Sequence, residues 1–468
     1  MTNDAGWRHL FRGGFGVFTV MLNLAVGLHA LDSFIVSTVM PSVVRDIGGT
    51  RYYTWATMLY MVASIIGAAS GGSMLARFGP RRALVTGGAL FLAGSIGCAA
   101  SPAMATLLVG RTVQGFADGL AVSISMSLVR ELFPELLRKR ILATFSITWG
   151  VAALVGPAIG GLFAQLVSWR GAFLMTTPII AGFMLAAWLR LPKSPTSTLT
   201  HGFPFRRLAM LATGVVAVGV AGRWRDPPIQ AGLIVLSFAL VSATLRFDRV
   251  GGSRIFPTRP FGMRTTTGVG NWVMFLHSVT HIAIGIFLPL ALQVLRGVDP
   301  LTAGYMTASL VAFWTLASVA TSNLHGRAAS AAIVVGQIFC CVGFGGVALG
   351  FDTAPIWAIP LLTGLLGLGL GSSDLHVVAA VMRHASKDEG SITASSIQTV
   401  RVLGIAFGAA GAGVIANTAG LSDALLPADV AHAVLWVFGL VTLAPVLTLL
   451  LAVRLVALIR KDRQAEPI

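Results

Sequence analysis

Apolar runs of ~18–25 residues recur along the whole 468-residue chain, each long enough to cross ~30 Å of hydrocarbon as a helix. A chain built this way folds in a membrane or not at all. Only 11% of its residues are charged, against about a quarter in a soluble domain. Water-soluble enzymes and disulfide-stapled secreted domains are excluded, as is an outer-membrane barrel with its shorter, alternating strands. Cys98, Cys340 and Cys341 are the three cysteines and lie inside apolar runs, without the spacing of a disulfide framework or a zinc site. The first run, from about Gly16 to Met40, follows Arg8 and Arg12. It is too long for a signal-peptide core and reads as a retained helix.

Breaks at charge, Pro and Gly clusters predict fourteen spans. Six lie near 15–40, 54–75, 83–101, 104–129, 141–166 and 171–191. After a polar stretch from Lys193 to Arg207, two more lie near 208–222 and 229–245, followed by a basic connector, Arg246 to Arg264. The last six lie near 268–294, 301–322, 329–350, 355–382, 391–417 and 430–459. The run at 208–222 is short of the bilayer core by length alone. With both termini cytoplasmic and all fourteen spans counted, 25 of the 33 Lys and Arg fall on the inner side and six on the outer. That is the asymmetry expected of correct alternation. The net charge of +16 is thus an orientation signal, and no nucleic-acid partner is expected.

The expected fold is all-α and polytopic: a six-helix bundle over 1–192, a linker with two additional transmembrane helices over 193–264, and a second six-helix bundle over 265–468. Two six-helix halves suggest a secondary transporter with its site near the midplane. No GxxxxGK[ST] loop occurs, so ATP is not the expected energy source. Nor do the short loops carry an assembled nucleophile and base, so no enzyme is expected.

An ionised group facing lipid at mid-bilayer costs ~3 kcal/mol even on the lenient insertion scale. Asp32, Arg111, Asp118, Asp374 and Arg401 therefore face a cavity or one another. With the linker pair set aside, nearly every titratable group sits on core helices one, four, seven and ten. His29 and Asp32 share a face of the first. Arg111, Gln114 and Asp118 form a stripe on the fourth, while Gly364, Gly367, Gly371 and Asp374 share a face of the tenth. His277 and His281 lie one turn apart on the seventh, and His376 is on the tenth. Substrate contact is expected of His29, Gln114, Asp118, His277, His281, Asp374 and His376. Several alternatives stand: Arg111 neutralises Asp118, Asp374 bonds a neighbouring helix, Arg401 snorkels. The histidine pair has metal-ligand spacing but no third ligand in view.

These residues resemble the major facilitator superfamily, specifically its fourteen-helix drug:proton antiporter branch. Leu31-Asp32-Ser33-Phe34-Ile35-Val36-Ser37-Thr38-Val39-Met40-Pro41 is similar to the branch's L-D-x-T-I-V-N-V-A-L-P, with Phe34 and Ser37 departing from it. Trp55 and Tyr60 resemble its W-x-x-x-x-Y, and Arg111-Thr112-Val113-Gln114-Gly115 its R-x-x-Q-G. Gly156-Pro157-Ala158-Ile159-Gly160-Gly161 resembles the antiporter motif G-P-x-x-G-G. Trp169-Arg170-Gly171-Ala172-Phe173 resembles W-R-W-x-F, and Arg401 to Gly408 resembles R-Q-x-G-G-x-x-G. The cytoplasmic loop motif keeps Gly72, Arg77, Gly79, Arg81 and Arg82, but Ala76 stands where the family has an Asp that helps latch the gate. Asp118 departs from a position that is usually small.

The resemblance implies a proton-coupled exporter of amphipathic or cationic drugs, working by alternating access as 1–192 rocks against 265–468. Asp32 would carry the proton, Arg111 would favour its deprotonated form, and Gly156, Pro157, Gly160 and Gly161 would serve bending and close packing. The implied partners are a small-molecule substrate, protons and the lipid bilayer. No cofactor is implied beyond the proton gradient, and the chain is expected to act as a monomer in a bacterial-type inner membrane. A dedicated exporter of one metabolite or siderophore is the alternative transporter. A non-transporting sensor or scaffold is the alternative of a different class, and leaves the costly buried charges unexplained.

Overall fold

A computed structural model describes residues 7–11, 14–191, 204–224, 226–249, 254–386, 388–421 and 425–465. Arg12, Lys193, Arg225, Lys387 and the expected boundary at 192/193 lie outside the described residues. Fifteen α-helices and no strand occur among the described residues. They are α1 (Phe15–Ile47), α2 (Trp55–Ala99), α3 (Met104–Leu132), α4 (Glu135–Leu166), α5 (Trp169–Leu174), α6 (Thr177–Arg190), α7 (Phe205–Ala221) and α8 (Pro227–Asp248). There follow α9 (Thr266–Leu295), α10 (Pro300–Thr321), α11 (Gly326–Gly350), α12 (Ala358–Arg383), α13 (Gly390–Thr418), α14 (Pro427–Val441) and α15 (Leu443–Ala465).

Twelve helical stretches among the described residues are long and apolar enough to cross a membrane. Their outward faces carry large apolar side chains, such as Leu349 at 85% exposure and Phe238 at 71%, a pattern that water would penalise and lipid accepts. The spans expected near 54–75 and 83–101 run together in α2, whose 45 residues would extend about 68 Å if straight. The helix breaks at Gly79 (φ 75°, ψ 166°), just before Pro80. That positive φ admits glycine with little strain. Helix α7 has 17 residues and is about 25 Å long. It packs against α8 and α13 and buries Leu208, Leu211 and Val215.

The chain divides into two compact units, 1–48 with 59–203, and 49–58 with 204–468. In the first, α1 packs on α3, α4 and α6 around Met21, Leu22, Leu120, Ile124, Phe145 and Phe183. Helices α2 and α3 touch through backbone. A Cβ at Gly115 would overlap the Tyr60 carbonyl, and one at Gly119 the Ser64 carbonyl. The second unit repeats this device between α10 and α12, where Gly367 abuts the Leu310 carbonyl and Gly371 that of Trp314. The same Gly-x-x-x-Gly spacing thus builds one helix seam in each unit, as close packing in membranes favours.

The basic connector after α8 is tied down by two acids. Asp248 accepts from the amides of Ile255 at 2.9 Å and Phe256 at 2.7 Å, and pairs with Arg207 at 3.2 Å. Glu389, between α12 and α13, accepts from the Thr258 hydroxyl and the Arg254 guanidinium, each at 2.5 Å. Bonding from the Thr258 hydroxyl, then its amide and Arg254, holds the Glu389 carboxyl below the ordinary glutamate range. A depressed carboxylate contributes its stability above the unfolded pKa and loses it as pH falls through the folded one. Limited proteolysis at 254–262 is therefore expected to be slow at neutral pH and faster below about pH 4. In Glu389→Gln it is expected to be fast throughout. Equal resistance of both proteins at pH 7 would show that Glu389 does not clamp this segment.

Candidate functional site

Asp32 lies about two and a half turns before Pro41 in α1 and is 2% exposed. Its charge is met by Arg111 of α3, also 2% exposed. One guanidinium nitrogen, Nη1, reaches both Asp32 oxygens, at 2.7 and 2.9 Å. The same nitrogen donates to Gln114 Oε1 at 2.9 Å, and Gln114 Nε2 donates to Ser95 Oγ at 2.9 Å. Below the guanidinium lies the Tyr60 ring, 4.2 Å from Cζ to centroid, close enough for a cation–π contact. The Arg111–Gln114 part of the sequence stripe therefore acts as one unit. It serves Asp32 rather than Asp118.

Asp118 is 3% exposed and takes a different partner, His29 Nδ1 of α1 at 2.7 Å. A carboxylate only accepts, so Nδ1 carries the hydrogen when Asp118 is ionised. The imidazole stacks towards Tyr60 at 6.3 Å and meets the edge of Trp149 at 5.5 Å. His29 and Asp32, on one face of α1, thus each engage an α3 residue, and Tyr60 sits against both pairs. Two polar pairs share one buried patch: a sealed ion pair, and a carboxylate whose histidine partner is still 16% exposed.

The glycines of the fifth-span motif explain how α4 approaches this patch. A Cβ at Gly156 would come 2.5 Å from that of Phe34, and one at Gly160 would lie 3.1 Å from the Ile35 carbonyl oxygen. Pro157 lies inside α4 and Gly161 is buried. Helix α4 is therefore seated on the turn of α1 that follows Asp32. Trp169 and Arg170 of the next motif both donate to Asp46, at 3.0 and 2.5 Å, fastening α5 to the end of α1. In the loop motif, Arg81 donates to the Leu191 carbonyl at 2.9 Å, capping the C-terminus of α6. Arg77 lies over Phe78, Gly72 and Arg82 are exposed, and Ala76 offers no side-chain acceptor.

In the second unit Arg401 donates to Asp374 Oδ2 at 2.7 Å, so it is paired across helices and is still 30% exposed. Asp374 Oδ1 lies 3.9 Å from His277 Nδ1. On its other edge His277 Nε2 meets the Gln337 amide at 2.8 Å, and Gln337 reaches Ser373 Oγ at 2.7 Å. His281 bonds the His277 carbonyl at 3.1 Å and lies edge-on to Trp314. His376 stays apart: two residues beyond Asp374 it is about 200° round the helix, against the backbone of Thr321. No group of three metal-ligating side chains occurs among the described residues. Gly404 and Gly408 set α13 on α9, a Cβ at Gly404 coming 2.5 Å from the Phe275 carbonyl oxygen.

Ser95, Trp149, Gln337 and Ser373 belong to these networks and were not singled out by sequence reasoning. A lone amide in the apolar run of α11 was the available signal for Gln337.

Residues 22–409 match the model of the Major Facilitator Superfamily. The chain is 34% identical over 441 residues to "Probable multidrug-efflux transporter Rv1634" of Mycobacterium tuberculosis, covering 89% of this chain and 91% of that protein. It is 27% identical to the multidrug transporter protein MdtP of Bacillus subtilis, covering 87% and 76%. A solved peptide transporter bound to alafosfalin shares the fold, with a TM-score of 0.65, 16% identity and 97% of each chain covered. A match over most of the chain, and a third of its residues shared with a relative of nearly the same extent, establish that this multi-pass membrane protein is a transporter of the Major Facilitator Superfamily.

Proposed function

We propose that the protein exports amphipathic and cationic small molecules in exchange for protons, by alternating access. The observation that carries the reading is the sealed Asp32–Arg111 pair. Holding two charges out of water is costly unless they stay paired, so a proton on Asp32 weakens Arg111's hold and a returning Arg111 expels the proton. Asp118, whose partner His29 is partly exposed, supplies an anionic contact for a cation. His281 and Asp374 are the further cargo contacts in this proposal; His376, on the far side of α12 from Asp374, is left out of it. The relatives named for multidrug efflux support the breadth of cargo.

Fourteen crossings belong to the same proposal. The break at Gly79 divides α2 into two spans, and α7 crosses with flanking arginines reaching toward the interfaces. Both termini then face the cytoplasm, in a bacterial-type inner membrane, and the proton gradient drives a monomer without any cofactor.

The test is growth of a bacterial host stripped of its own efflux pumps, challenged with lipophilic cations, neutral drugs and metabolites. Wild type is expected to protect against several lipophilic cations, and Asp32→Asn, present at the surface in equal amount, against none. Undiminished protection by Asp32→Asn would sink the coupling role. Protection against a single metabolite would favour the dedicated exporter.

A further inference from the structure

The unit that lacks Asp32 holds its own buried site with the hardware to store a proton. We propose that His277 is a second proton-binding site, separate from Asp32, able to change charge without exposing its ring. Its role in transport rests on the proton-coupled reading above; its existence does not.

His277 is 3% exposed, in α9. Its Nε2 edge is bonded, whereas Nδ1 is buried without a hydrogen-bond partner. From α11, the Gln337 amide lies 2.8 Å from Nε2 and also 2.7 Å from Ser373 Oγ of α12, while Gln337 Oε1 is buried without a partner. From α12, Asp374 Oδ1 faces Nδ1 at 3.9 Å, longer than a hydrogen bond. Arg401 of α13 holds the other Asp374 oxygen. On α9 itself, His281 bonds the His277 carbonyl. Among the described residues, these are the charged and titratable groups against the ring.

The amide is the informative part. The oxygen and nitrogen of a glutamine side chain exchange places on a half-turn about its last torsion, so the same positions offer either donors or an acceptor. With nitrogen toward His277, the amide donates to a bare Nε2 and to Ser373, as the neutral ring requires. After the half-turn, the oxygen accepts from Nε2–H of the imidazolium and from the Ser373 hydroxyl, which rotates to donate. Both charge states therefore keep the same two hydrogen bonds, and each leaves one amide atom over. Uptake adds one proton to the ring nitrogen's lone pair, and no other covalent bond forms or breaks.

Charge is compensated on the opposite edge. An imidazolium places positive charge at Nδ1–H beside Asp374, and a carboxylate within ~4–6 Å favours the charged form. Arg401 acts against this, yet it is partly exposed and so more strongly screened than the sealed Arg111. A structural histidine needs neither a reversible amide nor a carboxylate held just beyond bonding distance.

The experiment is a proton titration of the full chain in lipid nanodiscs, with ring-labelled histidine followed by NMR and His277→Gln identifying the signal. One ring is expected to take up a single proton reversibly as the pH is lowered. The midpoint is expected to move by about one pH unit or more in Asp374→Asn. In Gln337→Met, which cannot donate and accepts only weakly through its sulfur, the transition is expected to vanish. In Asp32→Asn it persists. A His277 signal constant across the range overturns the proposal, as does loss of the transition in Asp32→Asn. Size-exclusion profiles verify folding, and if Asp374→Asn does not fold, Gln337→Met carries the test. Failure of drug protection with an intact titration would reject the export reading alone, so the two proposals fail separately.

Discussion

Arg111→Leu is expected to destabilise the protein by about 3–5 kcal/mol, because it leaves the Asp32 carboxylate buried without its partner. The figure follows from geometry: both residues are 2% exposed, and one guanidinium nitrogen bridges both carboxylate oxygens. Removing the cation forfeits the pair and also empties the space above Tyr60. Asp32→Asn/Arg111→Leu removes both charges and is expected to regain most of the loss, as replaced buried pairs generally do. Neither variant should move cargo against a gradient. Unfolding in detergent, read together with transport in proteoliposomes, separates the stability of the pair from its use. Equal stability of Arg111→Leu and wild type would mean that Asp32 finds another partner, and the coupling argument would lose its basis.

The second large effect concerns backbone seams. Gly115→Ala is expected to cost more than about 3 kcal/mol, at or beyond the upper end of ordinary overpacking. The new Cβ meets a main-chain carbonyl, that of Tyr60, which cannot rotate away as a side chain could. Gly119→Ala, Gly367→Ala and Gly371→Ala meet the carbonyls of Ser64, Leu310 and Trp314 and should behave alike. Gly182→Ala and Gly232→Ala, helical positions with open space around them, are the controls. They are expected to be neutral or to gain up to about 1 kcal/mol through helix propensity. Thermal unfolding of the six proteins decides the matter; no difference between the two groups would rule out the seams as rigid contacts.

Much of this was legible in the residues themselves. The apolar runs located the helices, and the spacing of Arg111, Gln114 and Asp118 placed them on one stripe, because helical periodicity is local. Partner choice was not local. Arg111 and Asp118 share a face, but seven residues separate them by about 10 Å along the axis. The rotation of α1 decides that Arg111 reaches Asp32 while Asp118 reaches His29. For the same reason Arg401 read equally well as a snorkelling residue until Asp374 of α12 was found 2.7 Å away. Gln337 was hidden because one amide in an apolar run has no periodicity to betray it. His376 shows the converse limit. It shares a helix with Asp374, but an interval of two residues sends it to the far side.

Tyr60 occupies an unusual station in this arrangement. Its carbonyl is seated against Gly115, while its ring faces Arg111 and His29. One turn along, the Ser64 carbonyl is seated against Gly119 in the same way. Two such notches key α2 to α3 like a shaft to its hub: axial slip of either helix would drive a carbonyl into a neighbouring Cα. Arg111 therefore cannot withdraw from Asp32 by sliding along α2. In the proposed cycle, parting the two charges would be left to α1, or to rotation of the arginine side chain over a ring that stays where it is.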